Sequence, residues 1–308
     1  MNNQYMRQVV KERTEKKFYG HDKLKSKYIP KIPEAAEREY SRLAAEYMQI
    51  VKEVLEQELP NIKKVYKQER DLAVAENRRS DSATDLLAAI NTVFERMSAT
   101  VAKRCEAFGI RRKLENLSQL TRKLTVKEWK KAIKATLGID IMEDYYLGDF
   151  YREALEAWVE ENVNLIKTIP ADTLDKMKEI VRDGYEKGST TTKMVKQIQK
   201  QYGISKRHAT LIATDQIAKL NSDIQQAQQQ DAGIDEYIWY TVGDSRVRDS
   251  HRALNGKKFK WSDPPVTEKG RRCNPGKDYR CRCIGRPVFN RNTLNLPIAD
   301  NGVKVTYR

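Results

Sequence analysis

Apolar side chains recur at three- and four-residue steps along much of the chain. Tyr40, Leu43, Tyr47, Ile50 and Val54 make one such row, extended to Leu59, with Pro60 as its predicted stop. Leu86, Ile90, Val93, Met97 and Val101 make a second, after the polar "NRRSDSATD", in which Ser82 or Thr84 is a candidate cap. Thr125, with Glu128 three residues on, reads as a capping box opening "TVKEWKKAIKATLG". "DFYREALEAWVEENVNLIKTIP" and "ADTLDKMKEIVRDGYEKG" read as two further helices, the first closing at Pro170 and the second at Gly188. A short helix, "STTTKMVKQIQKQYG", is predicted to end at Gly203. Ser205 then caps a longer one carrying Ala209, Ile212, Ala213, Gln216, Leu220 and Ile224.

The register changes after "DAGID". "EYIWYTV", Glu236 to Val242, is rich in β-branched and aromatic residues and is the strongest strand candidate. "CIGRPVF" and "VKVTY" are weaker ones. The fold class that follows is mostly α: an elongated helical N-terminal domain with a smaller α+β C-terminal domain. Boundaries are expected at a basic N-terminal arm over 1–33, a helical domain over 34–188, and an α+β domain with a basic C-terminal tail over 189–308. Pro30 and Pro33 in "YIPKIPE" separate the arm from the first long helix.

Length supports the division, since 308 residues exceed what one small core ordinarily serves. With 33% charged residues the helices are expected to present solvated faces. No run of 18 apolar residues occurs, and "MNNQYMRQVVKERTEKKF" has no apolar core for a signal peptide, so no membrane partner is expected. Four cysteines in such a chain are expected to be thiols or metal ligands and not a disulfide framework.

Charge adds a direction. The net charge is +15, yet residues 1–31 hold nine Lys/Arg against three Asp/Glu, and residues 244–308 hold sixteen against six. Both ends are basic around a near-neutral body, which suggests an anionic partner, nucleic acid first. The cations Lys257, Lys258, Lys260, Arg271, Arg272, Lys277, Arg280, Arg282 and Arg286 are the candidate DNA contacts. No base-reading pattern stands out, so the expected binding is to double-stranded DNA without sequence preference.

The chemistry-bearing residues crowd into "DSRVRDSHRALNGKKF" and "RRCNPGKDYRCRC". A helix starting after Asp244 makes that residue an N-cap, lines Val247, His251 and Leu254 on one face, and gives Gly256 the left-handed terminus. Asp244 and Asp249 would then diverge by about 140°, too far for a general acid/base pair. Nothing arranges His251 and a cysteine as a nucleophile elbow, and there is no phosphate-binding glycine loop. No catalytic residues are assigned and the chain does not read as an enzyme.

His251, Cys273, Cys281 and Cys283 offer three thiols and an imidazole, the donor set of a structural zinc site. Against this, on a regular strand the sulfurs of Cys281 and Cys283 would stand about 7 Å apart, so one must leave the strand for both to bind one ion. The other reading is a core histidine and a buried apolar thiol. Both stay open.

Taken in order, "ATLIATDQIAKLNSDIQQAQQQDAG", "YIWYTVGDSRVRDSHRALNGKKF", a "DPP" loop and "NPGKDYRCRCIGRPV" resemble the C-terminal domain of the Mu F-like phage head-morphogenesis (minor head, or minor capsid) proteins. The resemblance covers about Ser189 to Phe289. Its signature falls on Asp244, Arg246, Arg248, His251, Leu254, Gly256, Pro275, Gly276, Cys281 and Cys283. One departure is Asn274, preceded by Cys273, where relatives often place a histidine before Pro-Gly. The resemblance implies a structural virion component at the portal vertex, inside the capsid and near packaged DNA, present in the host cytoplasm during assembly. It also implies a portal protein as partner, with scaffold and major capsid proteins as further candidates, and a part in procapsid assembly, DNA packaging and ejection. The alternative is a zinc-dependent nucleic-acid-binding or nuclease module using His251 and the C-terminal cysteines.

Overall fold

Long amphipathic rows make long helices here, and they run through several of the expected stops. A computed structural model describes residues 3–75 and 83–298. Its elements are α1 (Asn3–Thr14), β1 (Lys23–Lys25), α2 (Glu34–Ala75), α3 (Ala83–Ala107), α4 (Ile110–Leu137), α5 (Asp149–Glu186), α6 (Thr191–Asp231), β2 (Glu236–Tyr240), α7 (Asp249–Arg252), β3 (Lys258–Lys260) and β4 (Ile284–Asn290). The chain is mostly helical with a small antiparallel sheet near the C-terminal end, as the pattern predicts. The candidate caps Ser82 and Thr84 and the candidate strand "VKVTY" lie outside the described residues, as does the side chain of Leu86.

Pro60 and Pro170 sit inside α2 and α5, and Gly203 lies inside α6. The predicted stops at Pro60 and Gly203, and the separate helices on either side of Pro170, are therefore corrected. An internal proline removes one amide donor and crowds the preceding turn, and an internal glycine costs about 1 kcal/mol relative to alanine. Burial on both sides outweighs that local cost. Val54 and Leu55 before Pro60 are buried, and so are Ile62 and Tyr66 after it. Ile166 and Ile169 flank Pro170 with Leu174 and Met177, all buried.

Thr125 does not open a helix either. It is buried in the middle of α4, where its hydroxyl donates back to the Thr121 carbonyl at 2.9 Å. Glu128, expected to close a capping box, instead accepts from the Tyr28 hydroxyl at 2.6 Å and the Lys31 amide at 3.0 Å.

The chain divides into two compact units, each assembled from several stretches. One comprises residues 39–114 and 160–213, the other 1–38, 115–159 and 214–308. Among the described residues the regular elements of the first are all helices. Tyr40 reaches Asn162 with its hydroxyl at 3.0 Å, Tyr66 donates to the Ser189 carbonyl at 2.8 Å, and the Tyr66 and Tyr185 rings meet edge-on at 6.2 Å.

The second unit holds the sheet, in the order β1-β4-β2-β3 with every pair antiparallel. β1 pairs Leu24 with Phe289, so part of the basic N-terminal arm is an edge strand of this sheet. Its core gathers Val10, Phe18, Trp129, Ile133, Phe289 and Leu296, with Trp129 and Phe289 stacked at 6.1 Å. A smaller cluster joins Tyr237 and Trp239 of β2 to Trp261, Cys281 and Cys283, with Leu254 and Phe259 packed against it.

Candidate functional site

Two turns deliver the site's side chains. After β2 the chain does not enter a helix at Asp244. The Asp244 carboxylate instead accepts the Arg246 amide at 3.1 Å, closing an Asx turn, and pairs with Arg246 at 2.7 Å and Arg282 at 3.3 Å. The helix α7 is one turn long and starts at Asp249, with no side-chain cap. The expected N-cap role of Asp244 is thus corrected: two neighbouring guanidinium groups hold its carboxylate and pull its pKa down, through the Arg246 hydrogen bond above all. Asp249 points into solvent, 3.7 Å from Arg252.

α7 serves to place His251. The ring is buried, edge-on to Trp239 at 5.5 Å. Leu254 packs half-buried against the aromatic cluster. Gly256, at φ +80°, donates its amide to the Trp239 carbonyl at 2.8 Å, turning the chain into β3.

The second turn is "NPGKDYRCRC". Ser222 of α6 donates to the Pro275 carbonyl at 2.6 Å, and Gly276 follows at φ +86° against α6. A Cβ there would stand 2.9 Å from the Ser222 Cβ, so only glycine fits without displacement. This close approach aims the Gly276 amide at the Cys281 sulfur, 3.3 Å away. Arg280 is left-handed at φ +53°, and its amide donates to the buried carboxylate of Asp215 at 2.7 Å. Both cysteines precede β4, so neither stands on a regular strand, and the Cys283 amide points back at the Cys281 sulfur at 3.4 Å.

The outcome is a convergence of three of the four predicted donors. His251 Nδ1 lies 3.5 Å from Cys281 Sγ and 3.6 Å from Cys283 Sγ. The three ligand atoms lie within 4.8 Å of one another and all three residues are buried. Cys273 is not part of this group among the described residues: its amide donates to the Pro265 carbonyl at 3.3 Å, and the Thr267 hydroxyl approaches its sulfur at 3.7 Å. Next to it, Asn274 accepts from Tyr237 at 3.0 Å and donates to the Trp261 carbonyl at 3.1 Å.

Asp278 is the participant that sequence reasoning missed. Its side chain is fully buried, and one oxygen lies 3.2 Å from His251 Nε2. The other accepts the Tyr279 amide at 2.9 Å and pairs with Arg271 at 2.6 Å. Burial alone would raise its pKa, but these partners together hold it below the usual carboxylate range. The hydrogen bond to Cys281 raises the pKa of His251, with Asp278 acting in the same sense. Of the two thiols, Cys281 is the one favoured as thiolate: the Cys283 side chain, His251 and the Cys283 amide outweigh burial. Cys283 is correspondingly held as a thiol by its neighbour Cys281 and by burial. A cavity of about 280 Å³ opens beside the three donors, lined also by Arg246, Arg248, Arg280 and Arg282.

The nine candidate DNA contacts are unequally placed. Arg271 pairs with Asp278, Arg272 with Asp263, Lys277 with Asp223, and Arg282 with Asp244 and Glu34. Arg286 donates to the Ser26 carbonyl at 2.7 Å, and Lys258 stands 3.8 Å from Glu236. Lys257, Lys260 and Arg280 are exposed, with no ion pair among the described residues.

Residues 175–285 match the family described as Phage Mu protein F like protein. The matched stretch runs from within α5 to Gly285, so it contains His251, Asp278, Cys281 and Cys283. Over 179 residues the chain is also 32% identical to an uncharacterized protein of Haemophilus influenzae, a match covering 57% of this chain and 39% of that relative. No solved structure matches. Among the described residues no helix is long and apolar enough to cross a membrane.

Proposed function

We propose that the protein is a minor capsid protein of a phage head, a structural component that sits at the portal vertex inside the capsid and supports head assembly, DNA packaging and ejection. The Mu F-like match over 175–285 carries this reading. The role needs a portal-binding surface and a cationic surface, and asks no catalysis of the chain. Portal protein is the proposed partner, with scaffold and major capsid proteins contacted during assembly. The cationic surface is proposed to meet double-stranded DNA through phosphates alone. Exposed Lys257, Lys260 and Arg280 support that part, being free of internal ion pairs among the described residues, whereas Arg271 and Arg282 are engaged inside the fold.

Titrating the full chain onto a mixed-sequence duplex over a range of salt concentrations tests the DNA half of the proposal. Affinity should fall steeply with salt and be indifferent to sequence. Replacing Lys257, Lys260 and Arg280 together by alanine should weaken binding and lower the salt slope by roughly one for each phosphate no longer neutralised. Absence of binding at low salt, or an unchanged slope in the triple variant, would sink the DNA assignment. Co-expression with portal protein, followed by capture through a tag on the portal, tests the other half. Failure to co-purify under conditions where portal rings form would remove it.

A further inference from the structure

We propose that His251 Nδ1, Cys281 Sγ and Cys283 Sγ bind one zinc ion, with Asp278 fixing the imidazole from behind and water from the adjacent cavity completing the tetrahedron. Cys273 is not a ligand. The inference is independent of the DNA and portal reading and rests on four features of the geometry.

The two N···S edges are those of a zinc tetrahedron. With Zn–N of 2.0–2.1 Å and Zn–S of about 2.3 Å, the N···S edge of a regular tetrahedron is about 3.6 Å. The two edges observed are 3.5 and 3.6 Å.

Hydrogen bonding alone leaves the cluster under-satisfied. With the Nε2 proton given to Asp278, Nδ1 has a single in-plane lone pair and can accept from one thiol only. Two sulfurs nevertheless face it at nearly equal distance. A cation at their common centre satisfies all three donors at once.

Around Cys281 the backbone is arranged for a thiolate. The amides of Gly276 and Cys283 both point at its sulfur, at 3.3 and 3.4 Å, and N–H donors directed at sulfur favour the anion. Finally, a carboxylate on the far nitrogen of a ligating histidine sets its tautomer and ring plane, which is the place Asp278 occupies. Arg271 at 2.6 Å and Arg248 at 3.7 Å balance the charge of that carboxylate.

The proton balance is simple. Metal entry releases two protons to solvent, the one on Cys283 and the one held between Cys281 and His251, and leaves the imidazole neutral with its remaining proton on Nε2, facing Asp278. Two thiolates then neutralise the dication. The ion would tie the one-turn helix α7 to the loop before β4.

Full-length protein purified without chelator should contain one zinc per chain by mass spectrometry of its metals. Metal-free protein titrated with Co(II) should develop a thiolate charge-transfer band in the near ultraviolet and tetrahedral d–d bands in the visible. Cys281→Ser and Cys283→Ser should each lose or markedly shift these bands, and Cys273→Ser should keep them. Asp278→Asn should keep the tetrahedral spectrum while binding Co(II) roughly 10- to 100-fold more weakly. Because a ligand variant can fail to fold, alkylation of the wild-type chain gives a second reading: zinc should protect Cys281 and Cys283 from iodoacetamide, and a chelator should release them. The proposal is overturned by wild-type protein that neither contains zinc nor gives the Co(II) bands. It is equally overturned if Cys273→Ser abolishes the bands, or if Cys281 is alkylated at the same rate with and without zinc, which would make it a thiolate–imidazolium pair.

Discussion

The helical unit of residues 39–114 and 160–213 and the turn-rich segment around His251 hold their shapes by different means. In the helical unit, rows such as Leu43, Tyr47, Val51 and Val54, or Ile90, Val93, Met97 and Val101, bury one face of each helix. Around His251, the regular elements are a single helical turn and strands of three to seven residues. Its fixed points are polar: Asn255 on the Thr241 amide, Ser222 on the Pro275 carbonyl, Asp215 on the Arg280 amide and Asp278 on His251. Hydrophobic burial is non-directional and tolerates local flaws such as a proline inside a helix. Hydrogen-bonded turns depend on individual atoms. The two regions should therefore fail differently when single residues are changed.

The largest loss is expected where the helical row is cut beyond its flaw. Ile62 is fully buried one residue pair past Pro60. Ile62→Ala should cost about 2–5 kcal/mol in urea unfolding, as for other buried large-to-small changes, and leave bound metal untouched. A loss within the noise of a surface substitution would mean that α2 is not continuous through Pro60 in solution.

Next comes removal of metal. If zinc binds only the folded chain, saturating it at 100 times its dissociation constant adds about 2.7 kcal/mol, and a chelator should take that away. The loss should be read by the fluorescence of Trp239 and Trp261, which border Cys281 and Cys283. Lowering the pH should have the same sense as chelation, because protons and metal compete for the same sulfurs. Unfolding that is indifferent to both chelator and zinc would erase the contrast between the two regions.

How much of this can be read from the residues alone follows the same division. The rows from Tyr40 to Val54 and from Ile90 to Val101 are visible because one helix face repeats its chemistry every few residues. The proline and glycine stops fall in the wrong place when a local cost is weighed without the burial on either side of it. The short edge strands β1 and β3 have too few residues to show a period. At the site, His251, Cys281 and Cys283 stand out by residue type, but Cys273 shares that type and not the place. Asp278 and Asp215 carry no such mark. Their partners lie 27 and 65 residues away, and these hydrogen bonds exist only once Gly276 and Arg280 have turned left-handed.

A smaller effect is expected at the first of those turns. Gly276→Ala adds a Cβ 2.9 Å from Ser222 in a backbone conformation that disfavours it. A strained residue of this kind costs about 1–3 kcal/mol. The same change shifts the amide that faces Cys281, so metal affinity should fall with stability. Ser222→Ala in the same chain should leave the steric clash in place, since alanine keeps the Cβ, and should lower metal affinity further, since it removes the Oγ that anchors the Pro275 carbonyl.

The smallest effect, and the sharpest in sign, belongs to Arg280. Its left-handed backbone is unfavourable for a residue with a Cβ by about 1–2 kcal/mol, and glycine removes that strain while making the unfolded chain more flexible by a comparable amount. Arg280→Gly should therefore be neutral or stabilising, within about 1 kcal/mol, provided the amide still reaches Asp215. Arg280→Ala keeps the strain and should gain nothing. Both variants lose one exposed cation, so both should lower the salt slope of DNA binding equally, and only their stabilities should differ. If glycine instead destabilised the chain while alanine did not, the left-handed turn would not be the conformation that places Cys281, and the path from Asp215 through Arg280 to the Cys281 sulfur would have to be redrawn.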